Sequence, residues 1–434
     1  MNRSLLLVGS LALSACTTAS ASLSATTDGA TVATTATPSS IASTASSVPT
    51  LAITSANGSV TVVRKGADAG TFSNARLAID GHTLVSSAPS STDTTKVEWI
   101  DIATSEFLGS VTLKGALELA SIDETGEWAT MVSPAAAPVG DDIAGGRPST
   151  EVAIARKPTA ADQPGNVVYR ATLPGNVFPE MVGPAYGGVP SSVFMLEYLP
   201  PNHPAAYRVR VLDTRSGTLY IPSDLREKVQ AADESMAGIS RAQVIVPNRK
   251  VLLTLYRGRN PDGTLYSFIH ALRYDFIEDG PWSGTYCLDL PDSLQLQSSP
   301  GSVAISPDQQ MMFIANGSGV LGSFQVRDLD DHSKAPELHA TGQLKDTTDH
   351  APAITASSDS VWVAYDNAVS ELNPADLGLR QRFTLPDPAL AIATVTAGLI
   401  AVSESAVSLV DLHGTVLERL AINVTHPVRV AVVP

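Results

Sequence analysis

The feature that most constrains this chain is a strand-turn-strand unit recurring along most of its length, because one supersecondary element used repeatedly signals a stacked or ring-like architecture. From Leu51 onward apolar and polar residues alternate in short runs broken by Gly, Pro, Asn and Asp, the mark of strands and turns. Lys96 to Asp101 turns at Thr104-Ser105 into Phe107 to Leu113. Tyr207 to Asp213 turns at Ser216-Gly217 into Thr218 to Ile221, and Val407 to Asp411 turns at His413-Gly414 into Thr415 to Ile422. Each first strand closes on an aspartate, whose carboxylate can accept from backbone amides two residues on, while glycine supplies the positive φ of a tight hairpin. Helical periodicity is nearly absent. Ser223 to Ser235, with Asp224 as its cap, is expected to form a short inserted helix before Gly238.

A second recurring mark is a proline just before a strand rich in Ala, Val and Ile: Pro179, Pro300, Pro352, Pro388 and Pro427. Proline suits the first residue of a strand, where no ladder donor is needed. These marks place the first strand of successive units near Arg76, Leu117, Pro179, Arg241, Ser302, Ala353, Leu390 and Val428, at spacings from the high thirties to the low sixties. Such spacings bracket the ~40 to 50 residues of a four-stranded propeller blade with its loops. The last start leaves one strand before Pro434, while Leu51 to Thr54 and Gly58 to Val63 form an orphan hairpin at the other end. The expected fold is all-β: a single β-propeller over residues 50–434 with eight blades, seven being the alternative because long insertions fall in blades two to four. Its N- and C-terminal strands share one blade, which removes a free sheet edge.

Ser302-Val-Ala-Ile-Ser-Pro-Asp308, followed by Met311-Met-Phe-Ile-Ala-Asn316, resembles the inner strands of the YVTN/WD40-like β-propeller repeat. The resemblance is loose over most of residues 50–434 and good over one blade. The Trp-Asp dipeptide of WD40 repeats is absent, as are the tryptophan docking motifs of quinoprotein propellers, which argues against a quinone cofactor. The resemblance speaks to fold and hardly to function.

At the N-terminus, Arg3 precedes an apolar run from Leu5 to Leu13 that ends in Leu13-Ser14-Ala15-Cys16. Charged region, short apolar region and small-residue cleavage site make a secretory signal too short to span a bilayer. The cysteine directly after Leu-Ser-Ala resembles a bacterial lipobox, which implies that residues 1–15 are removed and that Cys16 carries lipid. Residues 16–49 continue as Ser, Thr and Ala with scattered Val and Pro, a composition that cannot offset chain entropy by burial and is expected to act as a flexible tether. The expected location is the extracytoplasmic face of a cell membrane, reached through the lipid anchor alone.

The formal net charge of −15, with no Lys/Arg cluster, argues against nucleic acid or anionic lipid surfaces as partners. Of the two cysteines, Cys287 is left without an intramolecular partner if Cys16 is lipidated, and its place in Thr-Tyr-Cys-Leu-Asp-Leu suits a small buried hydrophobe. Gly-x-Ser-x-Gly does not occur, and Gly317-Ser318-Gly319 is a hairpin turn rather than a nucleophile elbow. The four tryptophans, Trp99, Trp128, Trp282 and Trp362, fall mostly in strand patterns and are expected in the core.

In a propeller the connections into the innermost strands ring one mouth of the channel, so polar residues beside the marker prolines are natural ligand contacts. Asp349, His350, Asp387 and His426 hold such places. Converged, two imidazoles and a carboxylate would suit a divalent metal or a polar ligand; left apart, they cap turns. The acidic run Asp328 to His350 lacks the glycine and oxygen spacing of an EF-hand loop and suits a solvated outer loop. Nothing in the sequence calls for a cofactor. A non-catalytic binding or assembly module with an envelope protein partner is the first expectation, ahead of metal or small-ligand binding at the channel mouth and of a propeller hydrolase or lyase.

Overall fold

The computed structural model describes residues 48–64, 67–160, 163–183, 185–186, 188–221, 223–224, 235–236, 238–259, 265–274, 284–290, 300–326 and 338–433. Eight sheets, each with four antiparallel strands, follow one another around a ring; one of them is built from both chain ends, and another carries a short fifth strand paired in parallel at its edge. We number the blades from this composite sheet. Its innermost strand is Pro427–Val432, followed outward by Leu51–Ser55, Val60–Arg64 and Ala67–Phe72. The innermost strands of blades 2 to 8 are Ala75–Leu77, Glu118–Ile122, Asn176–Val182, Gly238–Val246, Gly301–Ile305, Ala353–Ala356 and Ala391–Val395. The protein is therefore an eight-bladed propeller whose termini share one blade, with Leu51 paired to Val432 and Thr54 to Arg429.

Closure is written into the packing. Buried apolar side chains form one cluster at each of the eight junctions between consecutive blades. Blade 7 shows why. In its second strand, Val361, Val363 and Tyr365 face blade 6, while Trp362 and Ala364 face blade 8. Middle strands such as Trp128–Val132 and Ala406–Val410 are buried at every residue, because a blade is sandwiched on both faces. Period-two alternation persists only in outermost strands such as Leu338–Gln343 and Val416–Ala421, which keep one face in water. Trp99, Trp128 and Trp362 are fully buried, and the indole of Trp99 donates to the Gly126 carbonyl at 2.7 Å. Trp282 lies outside the described residues.

The aspartate turns join third to fourth strands. Asp101 Oδ1 accepts from the Ala103 and Thr104 amides at 2.8 and 3.0 Å, Asp213 from Arg215 at 2.8 Å, and Asp411 from His413 and Thr415 at 2.9 and 2.7 Å. The left-handed residue is Gly217 or Gly414 in two of these turns and Ser105 in the third. Ser306 organises the Ser-Pro-Asp turn of blade 6: its hydroxyl donates to Asp308 Oδ1 at 2.5 Å and accepts from the Met311 amide at 2.9 Å.

These contacts move the carboxyl groups. Burial pulls Asp213 upward, but the amide, hydroxyl and guanidinium of its own turn outweigh it and leave Asp213 below its ordinary value. The Ser306 hydroxyl lowers Asp308, and the Thr415 amide leads in lowering Asp411. A carboxyl depressed in the folded state adds stability above its unfolded pKa of about 3.9, and that stability is lost as pH falls through the lower folded value. Asp123 has the opposite sign, since burial raises it in spite of its own turn bonds. In urea titrations the triple variant D213N/D308N/D411N is expected to lose less stability than the parent between about pH 5 and pH 2. Parallel acid limbs for the two proteins would contradict this.

Two expectations need correction. Ser223–Asp224, where the helix is expected to begin, is a short strand pairing in parallel with Gly284-Thr285 at the outer edge of blade 5; the rest of that segment, residues 225–234, lies outside the described ones. Pro179 sits within its innermost strand, at a register shift between Pro179 and Met181, rather than ahead of it. That strand borders the channel on one side, so a missing donor there costs no ladder bond.

Candidate functional site

The innermost strands all begin on one face, called upper here, which carries the connections between blades and the turns between second and third strands. Asp349, His350, Asp387 and His426 all lie on it, ahead of the innermost strands of blades 7, 8 and 1. Each is held locally. His350 Nδ1 is 2.7 Å from Thr348 Oγ1 and 3.2 Å from Asp349 Oδ1, and its Nε2 is 3.6 Å from Asp366 Oδ1. Asp387 Oδ2 accepts from Arg419 Nε and Nη2 at 3.0 and 2.8 Å. His426 Nδ1 stands 2.7 Å from Glu404 Oε1. The structure thus assigns these residues to separate blade junctions. Among the described residues no three His, Cys, Asp or Glu side chains gather in an arrangement able to hold a metal ion.

The Asp387 contact belongs to a repeated device. Arg170, Arg382 and Arg419 occupy matching places on the outermost strands of blades 3, 7 and 8, opposite Ala153, Ser370 and Ser408 of the third strands. Each reaches back to the preceding blade or the connection leaving it: Arg170 to the Lys114 carbonyl at 2.6 Å, Arg382 to Asp346, Arg419 to Asp387. Of the acidic run, His339 is exposed on the outermost strand of blade 6, whereas Asp328, Asp330, Asp331, His332 and Glu337 lie outside the described residues, as does Cys16. Cys287 is on the fourth strand of blade 5, in register with His270.

The upper rim of blades 3 and 4 is built from two long connections locked together. Arg147, buried in the 133–148 connection, donates through Nε to Asn176 Oδ1 at 2.8 Å and through Nη1 to the Ser133 carbonyl. Asn176 Nδ2 donates to the carbonyls of Gly145 and Pro201 at 2.8 and 3.2 Å. Gly145 and Gly146 let the backbones meet: a Cβ on Gly146 would stand 2.0 Å from the Asn202 carbonyl oxygen. Burial pushes the Arg147 guanidinium down from its ordinary value, partly offset by Glu118 and Tyr198.

Inside the ring lie polar groups that the sequence reading passed over. Arg76 and Arg429 are on the innermost strands of blades 2 and 1, and Glu180 and Gln243 on those of blades 4 and 5. Gln243 Nε2 donates to Glu180 Oε1 and, at 3.2 Å, to Thr254 Oγ1. Thr254 and His270 continue from Gln243 in a row across blade 5, along the seam with blade 4. Burial lowers both guanidiniums, and for Arg76 the charge of Glu180 opposes the shift. Arg429 itself is exposed to solvent. Inward-facing residues leave a weak mark in sequence, an arginine or glutamate inside an otherwise small and branched inner strand.

No protein-family model matches the chain, and no curated protein sequence matches it. Solved structures do resemble it. Dihydro-heme d1 dehydrogenase NirN is 14% identical, with 89% of this chain and 75% of that one covered at a TM-score of 0.44. Saccharomyces cerevisiae Sqt1 is 11% identical over 87% and 94%, at 0.45, and BamB from Moraxella catarrhalis 13% identical over 83% and 92%, at 0.41.

Proposed function

We propose that the protein is an exported lipoprotein, anchored through Cys16, whose propeller is a non-catalytic binding or assembly module of the cell envelope. The observation that carries the binding reading is the closed ring: no blade edge is left unpaired at the chain ends, and the upper rim over blades 3 and 4 is a loop surface locked by Arg147 and Asn176. A rigid scaffold presenting shaped loops is what recognition needs. The Leu-Ser-Ala-Cys leader and the Ser/Thr/Ala segment behind it support the anchor and the tether, and with them an extracytoplasmic location.

Two measurements test this. Metabolic labelling with a palmitate analogue is expected to mark the native chain, which sediments with membranes, and to leave C16S unmarked and released; label retained by C16S would refute the anchor. A photo-crosslinking residue at Val139, 64% exposed on the upper loop, is expected to trap one envelope protein. The same residue at Phe107, beside a turn of the opposite face, is expected to trap none, and identical adducts from both positions would refute a face-specific module.

A further inference from the structure

The fold takes hold of the chain at one fixed point of the lower face. The innermost strand of blade 1, Pro427–Val432, runs from the upper face downward, and Leu51, which opens the second strand, pairs with Val432 at its lower end. One residue further on, the Val433 amide donates to the Thr50 carbonyl at 2.9 Å. Val48, 2% exposed, belongs to the core shared by blades 8 and 1, which also holds Leu51 and Ile53. Burial and pairing therefore fix the entry of the chain beside the innermost strands. The rim locked by Arg147 and Asn176 is on the opposite face, because residues 133–148 and 200–205 join second to third strands of blades 3 and 4, and second strands end on the upper face.

Lengths decide what an anchor at Cys16 can do with this arrangement. Residues 16–47, taken as the tether proposed above, span about 30 Å by the square-root rule for flexible chains. To bring the upper face against a bilayer, the tether must first pass outward across a four-stranded blade, three gaps of ~4.8 Å. It must then climb an outermost strand of six residues, such as Val416–Ala421, at ~3.3 Å for each. That detour is about 35 Å along the backbone alone, with side chains and the upper loops still to clear. It exhausts the usual reach of the tether before a bilayer is met. With the lower face toward the bilayer, the same tether arrives unstretched.

We infer that the anchor holds the ring by its lower face and turns the rim of blades 3 and 4 away from the bilayer, so that the partner of this rim is an envelope protein approaching from the side opposite the anchoring membrane. The inference rests on the anchoring reading and adds a direction to it. Attachment and capture then use opposite faces of the ring, and neither obstructs the other.

The test is energy transfer to the bilayer. The full chain, lipidated in the producing cell, is reconstituted in phosphatidylcholine vesicles that carry a lipid-linked acceptor. It bears one genetically encoded fluorescent residue as donor, at Val139 on the upper rim or at Leu412 in a lower turn of blade 8, side chains that are 64% and 49% exposed. Transfer from Leu412 is expected to exceed that from Val139 at least twofold. A second pair, His203 above and Phe107 below, both exposed, is expected to repeat the order. Equal transfer from the two faces, or more from the upper one, in chains that carry the palmitate label and float with the vesicles overturns the orientation and leaves the anchor standing. Chains that neither carry the label nor float overturn the anchoring reading, and this inference with it.

Discussion

Removal of residues 427 to 434 is expected to abolish cooperative folding of the ring. The deletion takes away the innermost strand of blade 1 and with it the ladder from Leu51 to Ser55. Val430 leaves the core shared with blade 8, where it packs with Ile53, Val402 and Val407, and Val433 leaves the core shared with blade 2. Burying one such side chain is worth about 1.5 to 3 kcal/mol, and the bared edge of Leu51–Ser55 adds unsatisfied backbone groups and a template for aggregation. The loss is of order 5 kcal/mol or more, a large share of a typical domain's stability. Thermal unfolding with size-exclusion chromatography reads it: the shortened chain is expected to lose the sharp transition and elute as aggregate. A peptide of residues 427–434 supplied in trans is expected to restore part of the transition. A shortened monomer melting within a few degrees of the parent would show that the ring does not depend on its shared blade.

Substitution of Gly398 by alanine is expected to be the most damaging single-methyl change in blade 8. Gly398 opens the second strand, Gly398–Val402, with φ of +144°, where L side chains rarely go. An added Cβ would lie 2.0 Å from the Val410 carbonyl oxygen and 3.0 Å from the Asp411 Cα, both backbone atoms of the adjoining hairpin. Neither can yield without moving the Asp411 turn, so conformational strain and overlap add to about 3 kcal/mol or more. Gly140 is the control, with φ of +62° and no atom within 4 Å of the added carbon. G140A carries the φ cost alone, about 1 kcal/mol. Urea unfolding of the two variants separates strain from overlap, and equal losses would show that blade 8 relaxes around the methyl group.

The blade starts were legible in the sequence because the signals are local. Ser302, Ala353 and Val428 fall in the innermost strands of blades 6, 7 and 1, and Leu117 and Leu390 fall one residue short of theirs. An aspartate that accepts from amides two residues on, and a proline where no donor is needed, act over a single turn and so read the same in chain and fold. The third and fourth strands of blade 2 follow the same logic around Asp101. The strand at Ser223-Asp224 escaped because its pairing with Gly284-Thr285 is distant in sequence.

The grouping of side chains was a different matter. His350, Asp387 and His426 share a motif position and a face, which the sequence could indicate. Whether they meet depended on what each connection packs against, and Asp366, Arg419 and Glu404 draw them to separate junctions. Arg76 and Arg429 offered no shared motif and sit near opposite ends of the chain, yet ring closure makes their strands neighbours. Most blade starts and the aspartate turns follow from interactions within a few residues, and the amino-acid order by itself determined them; the choice of eight blades over seven was made by the sheets of the ring. Which polar groups face one another across the channel was decided only by closing the ring, because the register between Leu51 and Val432 is a contact between chain ends that no local interaction encodes.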